Sequence, residues 1–386
     1  MGNRTTTQKE TKQSQHLITS TSFQTLKELP TRLSQSQCVL HKHELLICGG
    51  LGQRACYSYH TLKNEYKFIC EYPSDVTLIG YCVVKLVDNN NNNNKDRSQI
   101  SLLSFGGFFK HTLMMKYVSV WSNISDISNK SNELNNYNQW TPFTDNHNHR
   151  IIIGKNENHH YIGVRAVIGG RNNNLLFITY QYNNISVFDL NSFQFIKHDT
   201  LPIAADSYIH YHCFVSKSEN GQEQGQEMMK TNKQKYEMLL FYFKTGLSIE
   251  YDEDDNIFQF HQLSVCDDIV LFNCYAHVCI NDIILFFGGL NHNNHIFSKS
   301  VYKYSIEENK WTIFQNTLPN SLYNCVAILS EDNTHIHIIG GRQDDDIELS
   351  THMKTKVHMW DDLQLVINEL IICLFYLFNQ IQINNK

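Results

Sequence analysis

The sequence predicts an all-β fold of six similar units, and two recurring spacings support this prediction. Four of the five prolines follow an aromatic residue by seven or eight positions. These pairs are Phe23 and Pro30, Tyr66 and Pro73, Phe195 and Pro202, and Trp311 and Pro319. Self-similarity at a regular period is typical of folds in which each unit buries its apolar face against its neighbours. The chain is therefore expected to be a repeat protein.

A second aromatic residue lies seven positions before the first, and this pair predicts a hairpin. The examples are Tyr59 and Tyr66, Phe188 and Phe195, Tyr251 and Phe258, and Tyr304 and Trp311. Residues seven apart on one extended strand would face opposite sides of the sheet. A polar stretch such as 307–310 between the two rings favours a tight turn instead. We expect two antiparallel strands, c and d, joined by that turn.

Two further apolar segments precede each hairpin and predict strands a and b. Strand b is expected in the apolar runs 45–50, 102–107, 175–180, 239–244, 284–289 and 336–341. Four of these runs end in a glycine pair, whereas 175–180 and 239–244 do not. Strand a is expected at 38–40, 81–87, 164–168, 209–215, 276–280 and 325–329. Six units of four antiparallel strands around an axis describe a six-bladed β-propeller.

The two ends of the chain predict how the ring closes. The sixth unit reaches an aromatic residue at Trp360, which we assign to strand c, but no strand-d aromatic and proline follow it. The segment from Phe23 to Pro30 has this strand-d pattern without strands a to c before it. We therefore expect the N-terminal strand to complete the last blade, which removes an exposed sheet edge. Trp311 is expected to pack between neighbouring sheets.

The predicted unit resembles the kelch repeat, whose period is about 50 residues. The shared features are an apolar strand b ending in Gly-Gly, an aromatic strand c, a polar turn and an aromatic residue at the start of strand d. The resemblance extends over residues 17–362. It leaves a flexible N-terminal segment, 1–16, and an apolar C-terminal tail, 363–386, outside the propeller. Family members act as partner-recognition platforms, often in ubiquitin-ligase adaptors or on the actin cytoskeleton, so the resemblance implies a non-catalytic protein-interaction module.

Two other functions remain open. Propellers that resemble this repeat include enzymes acting on carbohydrates, such as galactose oxidase and sialic-acid mutarotases, and a diverged non-functional copy would also retain the pattern. The sequence contains no nucleophile elbow, Walker loop, zincin motif or dinucleotide fingerprint. Histidines two apart, at 41/43, 147/149, 210/212 and 335/337, do not indicate a metal site because no third ligand recurs beside them. We expect no enzyme activity, no metal and no other cofactor.

Composition and charge restrict the partners and the location. A net charge of −6 argues against a nucleic-acid-binding surface. The 11 cysteines include no C-x-x-C pair, and no apolar signal segment is present at the start. Both observations favour reduced thiols and a cytoplasmic location. The start of the chain fits the N-myristoylation pattern at Gly2. Membrane association is expected only if Gly2 is lipidated or the apolar segment 363–378 inserts.

Loop lengths predict which face of the disc binds a partner. Three polar insertions, 88–96 with its asparagine run, 122–139 and 216–235, all fall in a-to-b or c-to-d turns. Antiparallel strands bring those turns to one face and the b-to-c and d-to-a loops to the other. The second face is expected to bind the partner through Arg54, Lys110, His111, Lys244, His292, His295 and Arg342 around the channel mouth. This cationic set would suit an acidic peptide or a carboxylate-bearing ligand.

Overall fold

The computed structural model contains six four-stranded antiparallel sheets. It describes residues 22–87, 99–122, 136–154, 160–204, 208–217, 235–344 and 346–360. The six sheets are the six blades of a propeller, as the repeat predicts. Strands a of neighbouring blades contact each other at the centre. No helix in these ranges is long and apolar enough to span a membrane. The predicted segments 1–16 and 363–386 lie outside the described residues.

The blades follow the chain in order, and their strands are named in the order a to d. Blade one consists of Gln37–His41, Glu44–Gly50, Gln53–His60 and Glu65–Glu71. Blade two consists of Tyr81–Leu86, Gln99–Gly106, His111–Val118 and Thr141–Pro142. Blade three consists of Arg165–Gly169, Leu175–Tyr180, Asn184–Asp189 and Gln194–Thr200.

The second half of the ring has the same order. Blade four consists of Cys213–Ser216, Lys235–Tyr242, Thr245–Asp252 and Ile257–Leu263. Blade five consists of Ala276–Ile280, Ile283–Phe287, Val301–Ser305 and Lys310–Ile313. A small hairpin, Leu290–Asn291 with Ile296–Phe297, lies between its strands b and c. Blade six consists of Val326–Leu329, His335–Ile339, His352–Lys356 and the N-terminal strand Gln24–Thr25.

The N-terminal strand closes the ring, which confirms the prediction from the chain ends. Gln24 pairs with Lys354 and Thr25 with Met353 on strand c of blade six. Phe23, directly before this strand, is buried and contacts Phe287 of blade five. The first and last parts of the described chain are thus joined in one sheet.

The seven-residue aromatic spacing has a local cause in the c-to-d hairpin. The two rings of each pair stand directly opposite each other, as Tyr59 and Tyr66 do. In three blades the strand-c tyrosine donates its hydroxyl proton to an asparagine of the turn over 2.8 Å, and these pairs are Tyr59 with Asn64, Tyr251 with Asn256 and Tyr304 with Asn309. All three asparagines have a positive φ, which this residue type tolerates. The turn chemistry therefore sets the spacing.

The glycine pairs after strand b are required by contact with the next blade. Gly340 and Gly288 have a positive φ, and a Cβ at either position would collide with the carbonyl oxygen of Leu33 or Leu322. The following glycine donates its amide proton to that same oxygen over 2.8 Å, from Gly341 to Leu33 and from Gly289 to Leu322. In blades three and four, short turns between strands b and c replace the glycine pair.

Trp311 packs between blades four and five, as predicted. Its ring centroid lies 5.2 Å from those of Phe241 on blade four and Phe286 on blade five. Its indole N–H donates to the backbone oxygen of Ser264 over 2.8 Å. The side chain is only half-buried.

Trp360 is buried, but its predicted place on strand c is wrong. It lies on the 3-10 helix Val357–Trp360, which follows strand c of blade six. Thr355 occupies the strand-c position that holds an aromatic in other blades, because it pairs with Ile336 as Tyr304 pairs with Ile284. The Trp360 indole N–H donates to the Thr355 hydroxyl over 3.2 Å. The helix thus returns a large ring to the space left by a small side chain.

A buried chain of polar rings crosses the junction between blades six and one. Nδ1 of His337 lies 2.9 Å from Nε2 of His352, whose Nδ1 lies 2.5 Å from the Tyr66 hydroxyl. Both histidines are buried. Loss of hydration lowers the pKa of His337 to about 4 and that of His352 well below 6.5, with a smaller contribution from Lys354. The folded junction therefore favours the neutral form of both imidazoles.

Acidification is expected to destabilise the protein through these histidines. Since the folded state resists protonation while the unfolded chain accepts a proton near pH 6.5, stability is complete above 6.5 and is lost as the pH falls toward 4. Within that window, each such histidine changes the free energy of unfolding by about 1.4 kcal/mol per pH unit. Urea denaturation at pH 7, 6 and 5 measures the slope.

The variant His337→Gln, which cannot take up this proton, should reduce the slope by one proton. An unfolding free energy that is flat from pH 7 to 5 would contradict the prediction.

Candidate functional site: the channel mouth

A ring of six residues forms the mouth of the central channel on the face of the b-to-c and d-to-a loops. Each d-to-a loop contributes one residue with a positive φ, one or two positions before strand a begins. The six are Gln35, Gly80, Gly163, Tyr211, Cys274 and Asn324, with φ between 51° and 69°. The left-handed backbone turns each loop into its strand.

Backbone hydrogen bonds join these loops from blade to blade. The amide of Gln35 donates to the oxygen of Asn324 and that of Asn324 to Cys274, over 2.9 and 2.8 Å. The amide of Tyr211 donates to Gly163 and that of Gly163 to Gly80, over 2.9 and 2.7 Å. The mouth is thus held by backbone bonds between these loops.

A cavity of about 170 Å³ lies at this mouth, and all six blades contribute to its lining. Polar lining residues include Ser36, Gln37, Tyr211, His277 and Asn324. The buried hydroxyl of Ser36 has no hydrogen-bond partner within the described chain. Such a site has room for a small polar group.

Arg165 is the only charged residue among the described residues that line the cavity. It is the first residue of strand a in blade three and is half-buried. Its guanidinium donates to the backbone oxygen of Val164 over 2.9 Å and lies 5.7 Å from the Tyr211 ring centroid. Within the described ranges no carboxylate forms an ion pair with it. Its positive charge therefore faces the cavity without a protein counter-ion.

The other titratable groups of the lining are neutral at pH 7. Burial, with a further contribution from Arg165, lowers the pKa of His277 to about 3. Burial raises the pKa of the Cys274 and Cys325 thiols to about 12. Arg165 also lowers the pKa of His212 on the neighbouring blade, after the larger effect of burial. The cavity thus carries a net charge of +1, which belongs to Arg165.

Exposed aromatic side chains lie on the same face as the mouth, in loops of blades two to four. Tyr182, in the b-to-c turn of blade three, is 47% exposed, and Tyr208, in the d-to-a loop before blade four, is 50% exposed. Their ring centroids lie 5.1 Å apart, and the ring centroid of His160 lies 5.3 Å from that of Tyr182. Phe108 and Phe109 form a second exposed pair in the b-to-c turn of blade two. We call these two groups the aromatic rim.

The seven predicted partner residues do not form one cluster at the mouth. Lys244 and Lys110 lie in b-to-c turns of blades four and two, and His292 and His295 lie in the small hairpin region of blade five. Arg54 pairs with Glu71 over 3.3 Å on its own blade. None of the seven lines the cavity at the channel mouth.

Two of these residues have structural roles that the sequence did not indicate. His111 is not a loop residue as expected: it begins strand c of blade two, is buried, and lies 2.7 Å from the Ser104 hydroxyl. Burial lowers its pKa to about 4. Arg342 pairs with Asp346 and Glu348 over 3.2 and 3.3 Å, so its charge is already neutralised. Contact of the remaining residues with a partner stays a prediction.

Sequence reasoning missed Arg165, although a signal for it exists. The residues two positions after the positive-φ residue in each d-to-a loop are Gln37, Cys82, Arg165, Cys213, Ala276 and Val326. Only one of the six is charged, and a charge on a central strand of a propeller points into or beside the channel. Alignment of the six strands a at this position would have singled it out.

No group of three or more histidine, cysteine, aspartate or glutamate side chains in the described part of the chain could hold a metal ion. The loop 143–160 contains four histidines. Of these, His147 and His149 are described, and His149 bonds to Asp145 over 3.0 Å. His159 lies outside the described residues.

Comparisons with known proteins agree with the fold. Residues 272–316, which contain blade five, match the kelch motif. Among 881 matching chains of known structure is YjhT, with a TM-score of 0.54 and 11% sequence identity over 85% of this chain and 95% of YjhT. No curated protein matches the sequence. At that identity the likeness to YjhT concerns the fold alone.

Proposed function

Since this chain carries a kelch motif and is a six-bladed β-propeller, we propose that it is a non-catalytic protein-interaction module whose partner binds the face formed by the b-to-c and d-to-a loops. The aromatic rim is the observation on which the proposal depends. Aromatic residues are enriched at binding hot spots because they bury a large area at a small entropy cost. Apolar residues on an ordinary protein surface are scattered singly, whereas these exposed rings lie next to each other on one face.

The cavity chemistry supports binding over catalysis. A site that hydrolyses glycosides commonly uses a pair of carboxylates as acid and base. The described lining contains no aspartate or glutamate, and His277, with a pKa of about 3, is too weak a base to accept a proton at neutral pH. Among propeller enzymes acting on a carbohydrate, a glycoside hydrolase is therefore the less favoured alternative.

We also propose a cytoplasmic location and an acidic segment as the partner's contact. All ten cysteines in the described ranges are free thiols, which suits a reducing compartment. The unpaired Arg165 supports the acidic contact. Membrane association through Gly2 or the segment 363–378 stays a prediction, since both lie outside the described residues.

The aromatic rim can be tested by substitution and affinity capture. Tyr182→Ser combined with Tyr208→Ser is expected to weaken capture of a specific partner at least tenfold, since truncation at a hot spot costs more than about 1 kcal/mol per residue. Melting temperature should not change, because both rings are exposed.

The matched control is Leu62→Ser with Ile257→Ser, which removes two exposed apolar side chains from the opposite face. This variant, and a deletion of the asparagine run 89–94, should retain the partner. Loss of the partner in these controls with retention in the tyrosine variant would place the interface on the other face.

A further inference from the structure

We infer that the channel mouth is a binding pocket for a single carboxylate group, held by the guanidinium of Arg165. Arg165 lines a cavity of about 170 Å³ and has no protein carboxylate within ion-pair distance among the described residues. The inference deepens the proposed function and rests on it in one respect, that the pocket lies at the centre of the proposed partner face. The ligand carboxylate is either part of the partner or a free small acid.

The position of Arg165 makes its charge available to a ligand. The two other half-buried arginines of the described chain are neutralised, since Arg54 pairs with Glu71 and Arg342 pairs with Asp346 and Glu348. A half-buried cation without such a counter-ion loses hydration and gains no compensating ion pair. A carboxylate that enters the cavity supplies the missing pair.

The surroundings favour a carboxylate over a phosphate. A guanidinium presents a planar pair of N–H groups that matches the two oxygens of a carboxylate. The pocket charge is +1, because His277 and the lining thiols are neutral, so it matches one negative charge. A phosphate ester carries about −1.5 to −2 charges at neutral pH, and no second cation lines the described cavity.

Further polar groups can complete the recognition. The buried Ser36 hydroxyl has no partner in the described chain and can donate a hydrogen bond to a ligand oxygen. The Tyr211 ring lies beside the guanidinium and its hydroxyl donates to Gln35 over 3.1 Å, which holds the ring in place. The Tyr211 ring beside the guanidinium is thus held in place before a ligand binds.

The test measures binding of defined probes by isothermal titration calorimetry and by NMR. N-acetylglutamate is the free acid, N-acetylglutamine is the probe that lacks its side-chain carboxylate, and acetyl-Gly-Glu-Gly-amide presents the same side chain within a peptide. Acetyl-Gly-Gln-Gly-amide is the fully neutral counterpart, and inorganic phosphate is the last probe. The protein variants are Arg165→Gln, Arg165→Lys and, as matched control, Arg171→Gln, which removes an exposed arginine that is paired with Asp254.

Wild type and Arg171→Gln are expected to bind at least one carboxylate probe and to ignore acetyl-Gly-Gln-Gly-amide. Arg165→Gln should bind that carboxylate probe at least tenfold more weakly, and Arg165→Lys should fall between, since an ammonium keeps the charge without the planar pair of donors. Binding of the free acid identifies a small-molecule site. Binding of the peptide alone identifies a carboxylate of the partner.

Any one of four results would overturn the inference. The first two are equal affinity in wild type and Arg165→Gln, and equal binding of the acidic and the neutral peptide. The others are tighter binding of phosphate than of the carboxylate probes, and no binding of any carboxylate at millimolar concentration. A ligand-free readout checks that Arg165→Gln is folded and that the charge is placed as stated. Its melting curve should match wild type, and the pKa of His277 should rise. These assays use no protein partner. They can therefore fail while the aromatic rim still binds a partner, and they can succeed while the aromatic rim binds none.

Discussion

Removal of residues 1–31 will unfold the propeller as a whole. The deletion takes away Phe23 and Leu29, which are 6% and 4% exposed, together with the strand that completes blade six. Burial of each side chain contributes about 1.5–3 kcal/mol, so about 3–6 kcal/mol is lost from a total stability that is typically about 5–15 kcal/mol. The deletion also exposes an unpaired edge on strand c of blade six.

Thermal denaturation followed by circular dichroism measures this effect. The deleted protein should be insoluble or melt far below the full chain. Deletion of residues 1–20, which keeps Phe23 and the closing strand, is the matched control and should melt like the full chain. An unchanged melting temperature after deletion of 1–31 would show that the strand is a dispensable tail.

Trp360→Ala will destabilise the junction of blades five and six by about 3–5 kcal/mol, the range for removal of a fully buried tryptophan. The ring is 0% exposed and contacts Phe23, Phe287 and Phe314, with centroids 5.1–5.8 Å away. A smaller side chain leaves a cavity among three aromatic rings that are fixed on different segments.

Chemical denaturation gives the loss in unfolding free energy. Trp360→Phe keeps a ring but loses the N–H bond to Thr355, so it should cost less than the alanine variant. Trp311→Ala, at a half-buried position, should fall between wild type and Trp360→Ala. A loss below about 1 kcal/mol for Trp360→Ala is the range of a surface substitution and would contradict the packing of this ring among three aromatics.

The local pattern was sufficient to predict the blades. The distance from Tyr59 to Tyr66 depends only on a turn of fixed length, since the two rings face each other across one hairpin. The glycine pairs also recur in the sequence, although their cause is not local: a Cβ at Gly288 or Gly340 would collide with the backbone of the next blade. Ring closure also followed from the sequence, because a missing strand d at one end and a surplus strand d at the other have one simple solution.

Blade six shows where a local pattern misleads. An aromatic residue was expected on its strand c, yet the strand holds Thr355 and the ring is supplied by Trp360 five residues later. The chain can fill the same interior space from a different backbone position, because packing responds to volume and not to sequence register.

The sequence by itself determined the six units and their four strands, because these depend on contacts within one hairpin or between chain neighbours. It also identified the closing strand, because the strand d that the last unit lacks is present near the start of the chain. Only the tertiary structure decided which charges are available. Arg342 has its carboxylates four and six residues away but needed the loop geometry to reach them, and His111 needed its sheet to be buried. An alignment of the six strands a shows that Arg165 is the one charge at its position, but only the closed ring shows that it lines a cavity and has no carboxylate partner among the described residues. Coulomb interactions depend on distance and burial in space, and those are set by the closed ring.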